Sequence, residues 1–150
     1  MKITDRLKVE HGIFLQQLRF LEERVAGNAP PHVLRSVVET IAAAEEHHSQ
    51  LEERVLFPAL AGVMGPAFAP LRAVQADHSR ILGLTARIRA GDEDRDVALT
   101  YVDLMRSHME MEIHGLFPLI DEILGAETLE TLSNWNHEHV LVEMGKEPFA

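Results

Sequence analysis

One block, His-x3-Glu-x3-Leu-Phe-Pro, is written twice in this chain, from His48 to Pro58 and again from His108 to Pro118, 60 residues further on. On an α-helix, residues four apart point within about 40° of one another and lie about 6 Å apart along the axis. Each block therefore aims one imidazole and one carboxylate into a single small volume, His48 with Glu52 and His108 with Glu112. Two such helices facing each other offer two nitrogens and two carboxylates able to bridge. That is the beginning of a dinuclear metal site.

The flanking sequence supplies a scaffold of matching kind. Each block is preceded by a helical stretch with an acid-His pair, Glu10-His11 in the first half and Asp77-His78 in the second. The first helix is predicted from a cap at Thr4 or Asp5 to about Ala26, with Leu7, His11, Phe14, Leu15, Leu18, Leu21 and Val25 on one stripe. The second starts near Pro31 and carries Leu34, Val37, Ile41, Ala44, His48, Glu52 and Val55; Pro58 is expected to kink or end it. A third, from about Ala67 or Pro70 to Ala90, has Leu71, Val74, His78, Ile81, Leu82, Thr85 and Ile88 in phase. The polar run Gly91 to Asp94 leads into a fourth with Val97, Tyr101, Leu104, Met105, His108, Glu112 and Leu119 inward, and Pro118 where Pro58 stood before. A shorter fifth helix, about Ala126 to Met144, holds Leu129, Leu132, Trp135 and Val140 and is expected to cover one end.

No stretch alternates like a strand, so the fold class is all-α. Two repeated helical hairpins pack most simply as an up-down-up-down four-helix bundle, a recurrent place for metal sites built from facing helices. At 150 residues the chain is expected to be one domain, 1–150, with a bundle over about 4–124 and a capping helix over about 126–144.

Composition narrows the function. The net charge of −10 and the lack of a basic stripe argue against nucleic acid as a partner. With no cysteine, disulfides, iron–sulfur clusters and thiolate chemistry are excluded. No run approaches the roughly 20 apolar residues of a membrane span, and a cytoplasmic location is the default.

Six residues carry the chemistry: His11, His48, Glu52, His78, His108 and Glu112. Pseudo-symmetry assigns His11 and His48 to one ion and His78 and His108 to the other, with Glu52 and Glu112 bridging. Nitrogen and oxygen donors without sulfur suit iron, manganese or zinc, and two carboxylate-bridged ions favour iron, a di-iron centre. Open coordination positions would take an oxo, hydroxo or water bridge and an exchangeable ligand such as dioxygen. Leu15, Leu82, Met105, Phe14 and Met109 are expected to make a dry pocket for a small uncharged molecule. A metal-free polar core is the bland alternative, but no lysine or arginine lies in phase to neutralise the two buried glutamates.

Other polar residues are expected to stand aside. His47 diverges from His48 by about 100°, His32 and His114 read as surface residues, and His137-Glu138-His139 reads as a weak, adventitious metal site. Glu10 and Asp77 adjoin ligands in sequence, yet neighbours on a helix diverge, so only supporting roles are open to them. The Leu-Phe-Pro elements and Met105, Met109 and Met111 read as packing.

On these four in-phase histidines and two glutamates, over about Thr4 to Leu124, the chain resembles the hemerythrin-like, or HHE cation-binding, domain family. The resemblance implies two iron ions and a partner such as dioxygen, peroxide or nitric oxide. It departs from the oxygen-carrying members, which have a fifth histidine one turn from another on the third helix; here Val74 and Leu82 flank His78. A four-histidine site leaves the irons more open. The first expectation is a non-haem di-iron protein that binds dioxygen or a related small oxidant; the alternatives are a di-iron oxidoreductase, a ferroxidase or peroxide-decomposing protein, or an iron- or oxygen-sensing module, and His47, Glu45, His137 and His139 are the candidates for a fifth ligand.

Overall fold

The computed structural model describes residues 1–93 and 95–143, with side chains up to Asn134, and all of its regular structure is helical. Helix α1 spans Ile3–Ala26 and α2 spans Pro31–Leu51; a π-helical turn, Glu52–Leu56, leads into α3, Phe57–Met64. Helices α4 (Ala69–Arg89) and α5 (Arg95–Met111) follow, then a second π turn, Glu112–Leu116, and α6, Phe117–Glu143. Helix α1 packs against α2 and α5, and α4 packs against the same two, which closes a four-helix bundle. Among the described residues no helix is long and apolar enough to cross a membrane.

Each helix buries the stripe its sequence marks. Leu7, His11, Phe14, Leu18, Leu21 and Val25 are buried on α1, and Leu71, Val74, His78, Ile81, Thr85 and Ile88 on α4. The apolar side chains form two clusters. One holds Phe14, Leu18, Ile41, Ile81, Tyr101 and Met105; the other holds Ile3, Leu7, Leu51, Phe57, Phe117 and Leu129. Along α1 the boundary falls between Leu7 and Phe14, where His11 sits, and along α4 between Val74 and Ile81, where His78 sits.

Several expectations are corrected. Thr4 does not cap α1: the helix begins at Ile3 after Lys2 with no side-chain cap, and the Thr4 hydroxyl donates to Asp121 Oδ1 at 2.5 Å. On α2 Val38, Ala42 and Glu45 are buried along with Leu34, Ile41, His48 and Leu51, while Ala44 is exposed and Val37 half-buried. The runs Val37-Val38 and Ala42 to Ala44 offer apolar residues side by side, and the helix keeps those in phase with Ile41 and His48. Leu82 is 52% exposed, because Ile81 takes the core position beside it.

Pro58 and Pro118 neither end nor sharply break their helices. A proline lacks the N–H for the usual bond and its ring collides with the carbonyl four residues back. Here the preceding turn widens instead: the Phe57 and Phe117 N–H groups bond the carbonyls of Glu52 and Glu112, five residues back. The extra residue shifts the inward face, so Leu116, Phe117 and Ile120 are buried and Leu119 only partly so. The long last helix turns at Gly125 (φ 78°, ψ 158°), a conformation that a side chain would strain. The residues beyond, the expected fifth helix, bring Leu129 fully into the second cluster, with Leu132 packed against it; the side chains of Trp135 and Val140 lie outside the described residues.

Candidate metal centre

The six residues singled out above meet in the middle of the bundle, all buried, with Glu52 and Glu112 inaccessible to solvent. They fall into two groups of four: His11, His48, Glu52 and Glu112; and Glu52, His78, His108 and Glu112. Within each group one nitrogen or oxygen from every residue lies within 4.8 Å of the others, so both carboxylates belong to both groups.

All four imidazoles present Nε2 to this centre. His48 Nε2 stands 2.8 Å from Glu52 Oε1, and His108 Nε2 stands 2.8 Å from Glu112 Oε1, each across one helical turn. Across helices, His78 Nε2 is 3.1 Å from Glu52 Oε2 and His11 Nε2 is 3.4 Å from Glu112 Oε1. His11 and His48 approach nitrogen to nitrogen, 2.9 Å apart. Yet no oxygen of Glu52 or Glu112 accepts a well-directed hydrogen bond. Donor atoms this close and so poorly aligned with one another converge on the spaces between them. Four orphaned, buried carboxylate oxygens need a compensating positive charge, and nitrogen and oxygen donors without sulfur fit a metal ion.

On the outer side, three of the four Nδ1 atoms meet a carboxylate: Glu10 Oε2 at 2.6 Å for His48, Glu53 Oε1 at 2.8 Å for His78 and Asp77 Oδ2 at 3.3 Å for His108. A carboxylate that accepts Nδ1–H holds the ring and leaves the Nε2 lone pair facing inward. Glu10 and Asp77 thus serve histidines on the facing helix, not their own neighbours, as divergence along a helix requires. Glu53 was not foreseen. Its only sequence signal is its place after Glu52 in the motif, where the second copy has Ile113. His11 Nδ1, correspondingly, is buried without a partner.

The Leu-Phe-Pro phenylalanines pack against the site itself. Phe57 stacks on His78 (centroids 5.9 Å apart, 25°) and Phe117 on His11 (5.4 Å, 23°), while Phe14 meets His48 edge-on at 5.2 Å. Phe14 belongs with Met105 and Met109 to one apolar cluster, against which the partly buried Leu15 packs, whereas Leu82 is exposed.

The same carboxylates also favour protonation of the rings. Burial alone would depress the His48 pKa, but Glu52 and Glu10 overcome it and push it up to about 10. Glu52 and Glu53 likewise raise His78, against its burial, to about 9, and Glu112 raises His108. Burial opposes ionisation of Glu112, yet His108 and His11 hold its carboxyl well below the usual range.

The remaining candidates among the described residues fall outside both groups. Glu45 is buried on α2, and burial raises its carboxyl. His47, His32 and His114 are exposed, and the side chains of His137 and His139 lie outside the described residues.

Comparison with known families gives one finding: the family described as hemerythrin HHE cation binding domain matches residues 2–120. No curated protein and no solved structure gives a match.

Proposed function

The chain belongs to the hemerythrin HHE cation-binding family, and from that premise we propose that it is a di-iron protein that binds dioxygen or a related small oxidant. His11 and His48 hold one ion, His78 and His108 the other, and Glu52 and Glu112 are shared between them. The up-down-up-down course of the bundle is part of this reading, supported by the short connection between α1 and α2 and by the approach of His11, near the start of α1, to His48, near the end of α2.

The observation that carries it is the convergence of four inward Nε2 atoms on two fully buried carboxylates that no hydrogen bond satisfies. Bound iron would supply the one-electron steps that dioxygen, peroxide or nitric oxide chemistry needs. The chain's own residues do the rest. Glu10, Glu53 and Asp77 orient the rings, and Phe14, Phe57 and Phe117 keep water from the histidines.

An oxidoreductase, a ferroxidase or peroxide-decomposing protein, is favoured as a second reading by one observation: neither Val74 nor Leu82, one turn either side of His78, can ligate. With six protein ligands for two ions, open positions remain for a reacting molecule. Metal analysis of protein expressed with iron, together with oxidised and reduced optical spectra, tests the first reading: two irons per chain are expected, and a chain without bound metal contradicts it. Reversible spectral change on cycling oxygen marks a binder; turnover of peroxide or ferrous iron marks the oxidoreductase.

A further inference from the structure

Beside His78 the bundle has an opening that the proposed function leaves unused. A groove of about 180 Å³ lies between the first π turn with α3 and the facing stretch of α4, lined by Glu53, Phe57, Ala61, Leu71 and Gln75. Its apolar walls, Phe57 and Leu71, are buried, while Pro58 and Pro66 at its rim are exposed. One charged group lines it. The Glu53 carboxylate accepts a hydrogen bond from the Gln75 amide at 3.4 Å with one oxygen and meets His78 Nδ1 at 2.8 Å with the other. The opposite nitrogen of that ring is 3.1 Å from Glu52. The groove is therefore connected to the centre by one carboxylate and one imidazole.

The other two outer carboxylates are more enclosed. The side chain of Glu53 is 37% exposed, against 24% for Glu10 and 16% for Asp77. A larger groove of about 340 Å³ lies between α1 and α2, but Ile13, Phe20, Val37 and Ile41 line it and it carries no charged group. A hydrated divalent cation gives up water reluctantly and exchanges it stepwise for oxygen donors. Among the grooves formed by the described residues, the one at Glu53 offers such a donor in contact with a site histidine.

The geometry points to this groove as the port through which divalent cations reach the centre, with Glu53 as the first oxygen donor and His78 Nε2, on the far side of the same ring, as the ligand at the inner end of the path. The inference rests on the metal reading above and adds a route to it. A single negative charge at the floor of a groove with low-dielectric walls focuses the field and raises the local cation concentration, an effect that acts on the rate of loading and is screened by salt.

The test is the rate of Co(II) uptake by the metal-free full-length chain, followed by the cobalt absorption bands, together with the final ratio of cobalt to protein. Gln75→Lys places a positive charge beside Glu53 and should slow loading about threefold or more at low salt; Gln75→Glu should speed it by a similar factor. Both differences should shrink in about 1 M salt. Ala61→Phe fills the groove away from the six site residues and should slow uptake while the final ratio stays at two. Thr40→Phe, in the apolar groove between α1 and α2, should load at the parent rate. Gln75 is partly exposed, so its variants keep the test usable if Ala61→Phe fails to fold. Full final loading at unaltered rates in the Gln75 variants, or equal slowing by Thr40→Phe, overturns the port alone. A parent chain that takes up no cobalt overturns the metal reading and the port together.

Discussion

Glu53 and Ile113 occupy equivalent places in the two π turns, one residue after Glu52 and Glu112, but only Glu53 reaches an imidazole, at 2.8 Å from His78 Nδ1. The ring that would be served by position 113, His11, has its Nδ1 buried and unpaired. The two groups of four donors are therefore unequally supported, and on the proposed reading so are the two ions. One is backed by carboxylates on both histidines, Glu53 and Asp77, and the other only by Glu10 on His48. Outer partners of this kind are worth about 10–100-fold in metal affinity. Ile113→Glu is expected to tighten the weaker position by about tenfold or more, read as a narrowing of the gap between two binding steps in a competition titration with a chelator. An unchanged gap would sink the inequality.

Glu52 and Glu112 belong to both groups of four, so on the proposed reading loading of one group depends on the other. Glu52→Ala or Glu112→Ala removes a donor from both groups of four, so each is expected to reduce bound metal well below two per chain. Metal analysis after saturation decides it, and a variant that keeps two ions would contradict bridging.

Protons and cations compete for the same nitrogens. In the metal-free chain the His48 and His78 pKa values lie at about 10 and about 9, raised from 6.5. Histidines raised by folding stabilise the fold fully below 6.5, and that contribution is lost as pH rises through about 9 to 10. The melting temperature of metal-free protein should therefore fall across that window; a flat or rising profile would count against it. Metal affinity should run the other way and weaken on acidification, since each ion must displace these protons.

At the other end of α1, Asp121 is held below its ordinary 3.8 by Thr4, Lys2 and Lys8, although burial opposes this. Lys2 Nζ lies 2.9 Å from Asp121 Oδ2, which ties the first turn of α1 to α6. A lowered carboxylate stabilises the fold above its unfolded value and stops doing so as pH falls through the folded one. Asp121→Asn should lower the melting temperature by about 2–4 °C near neutral pH, as a loss of roughly 1 kcal/mol does. The difference should start to shrink below pH 3.8 and disappear once the pH has fallen through the lower folded value; a difference that persists in strong acid would show the hydroxyl and amine contacts to be uninvolved.

The meeting of six side chains was legible because both signals that mark it are periodic: four-residue spacing within each block, and a histidine in phase on each partner helix. The bundle and its breaks near Gly27 and Gly65 follow from the same periodicity and its punctuation. What stayed hidden depends on departures from the α-helical period. Widening at Pro58 and Pro118 moves the inward face by one residue, which is why Leu119 was placed inside and Phe117 given no contact with His11. Where apolar residues sit side by side, as in Val37-Val38 and Ile81-Leu82, hydrophobicity cannot choose between them; neighbouring helices do. Glu53 was hidden because its partner is 25 residues away on α4.

Because the polar residues lie across the bundle between two separate apolar clusters, oil is continuous within each half and interrupted at the waist. Such a seam is a weak joint when empty of counter-charge and a clasp when ions occupy it. Stripped of cations, the halves can loosen separately and the melting curve should broaden or split; loaded, they should give way as one body, so that occupancy becomes readable in the sharpness of a single transition.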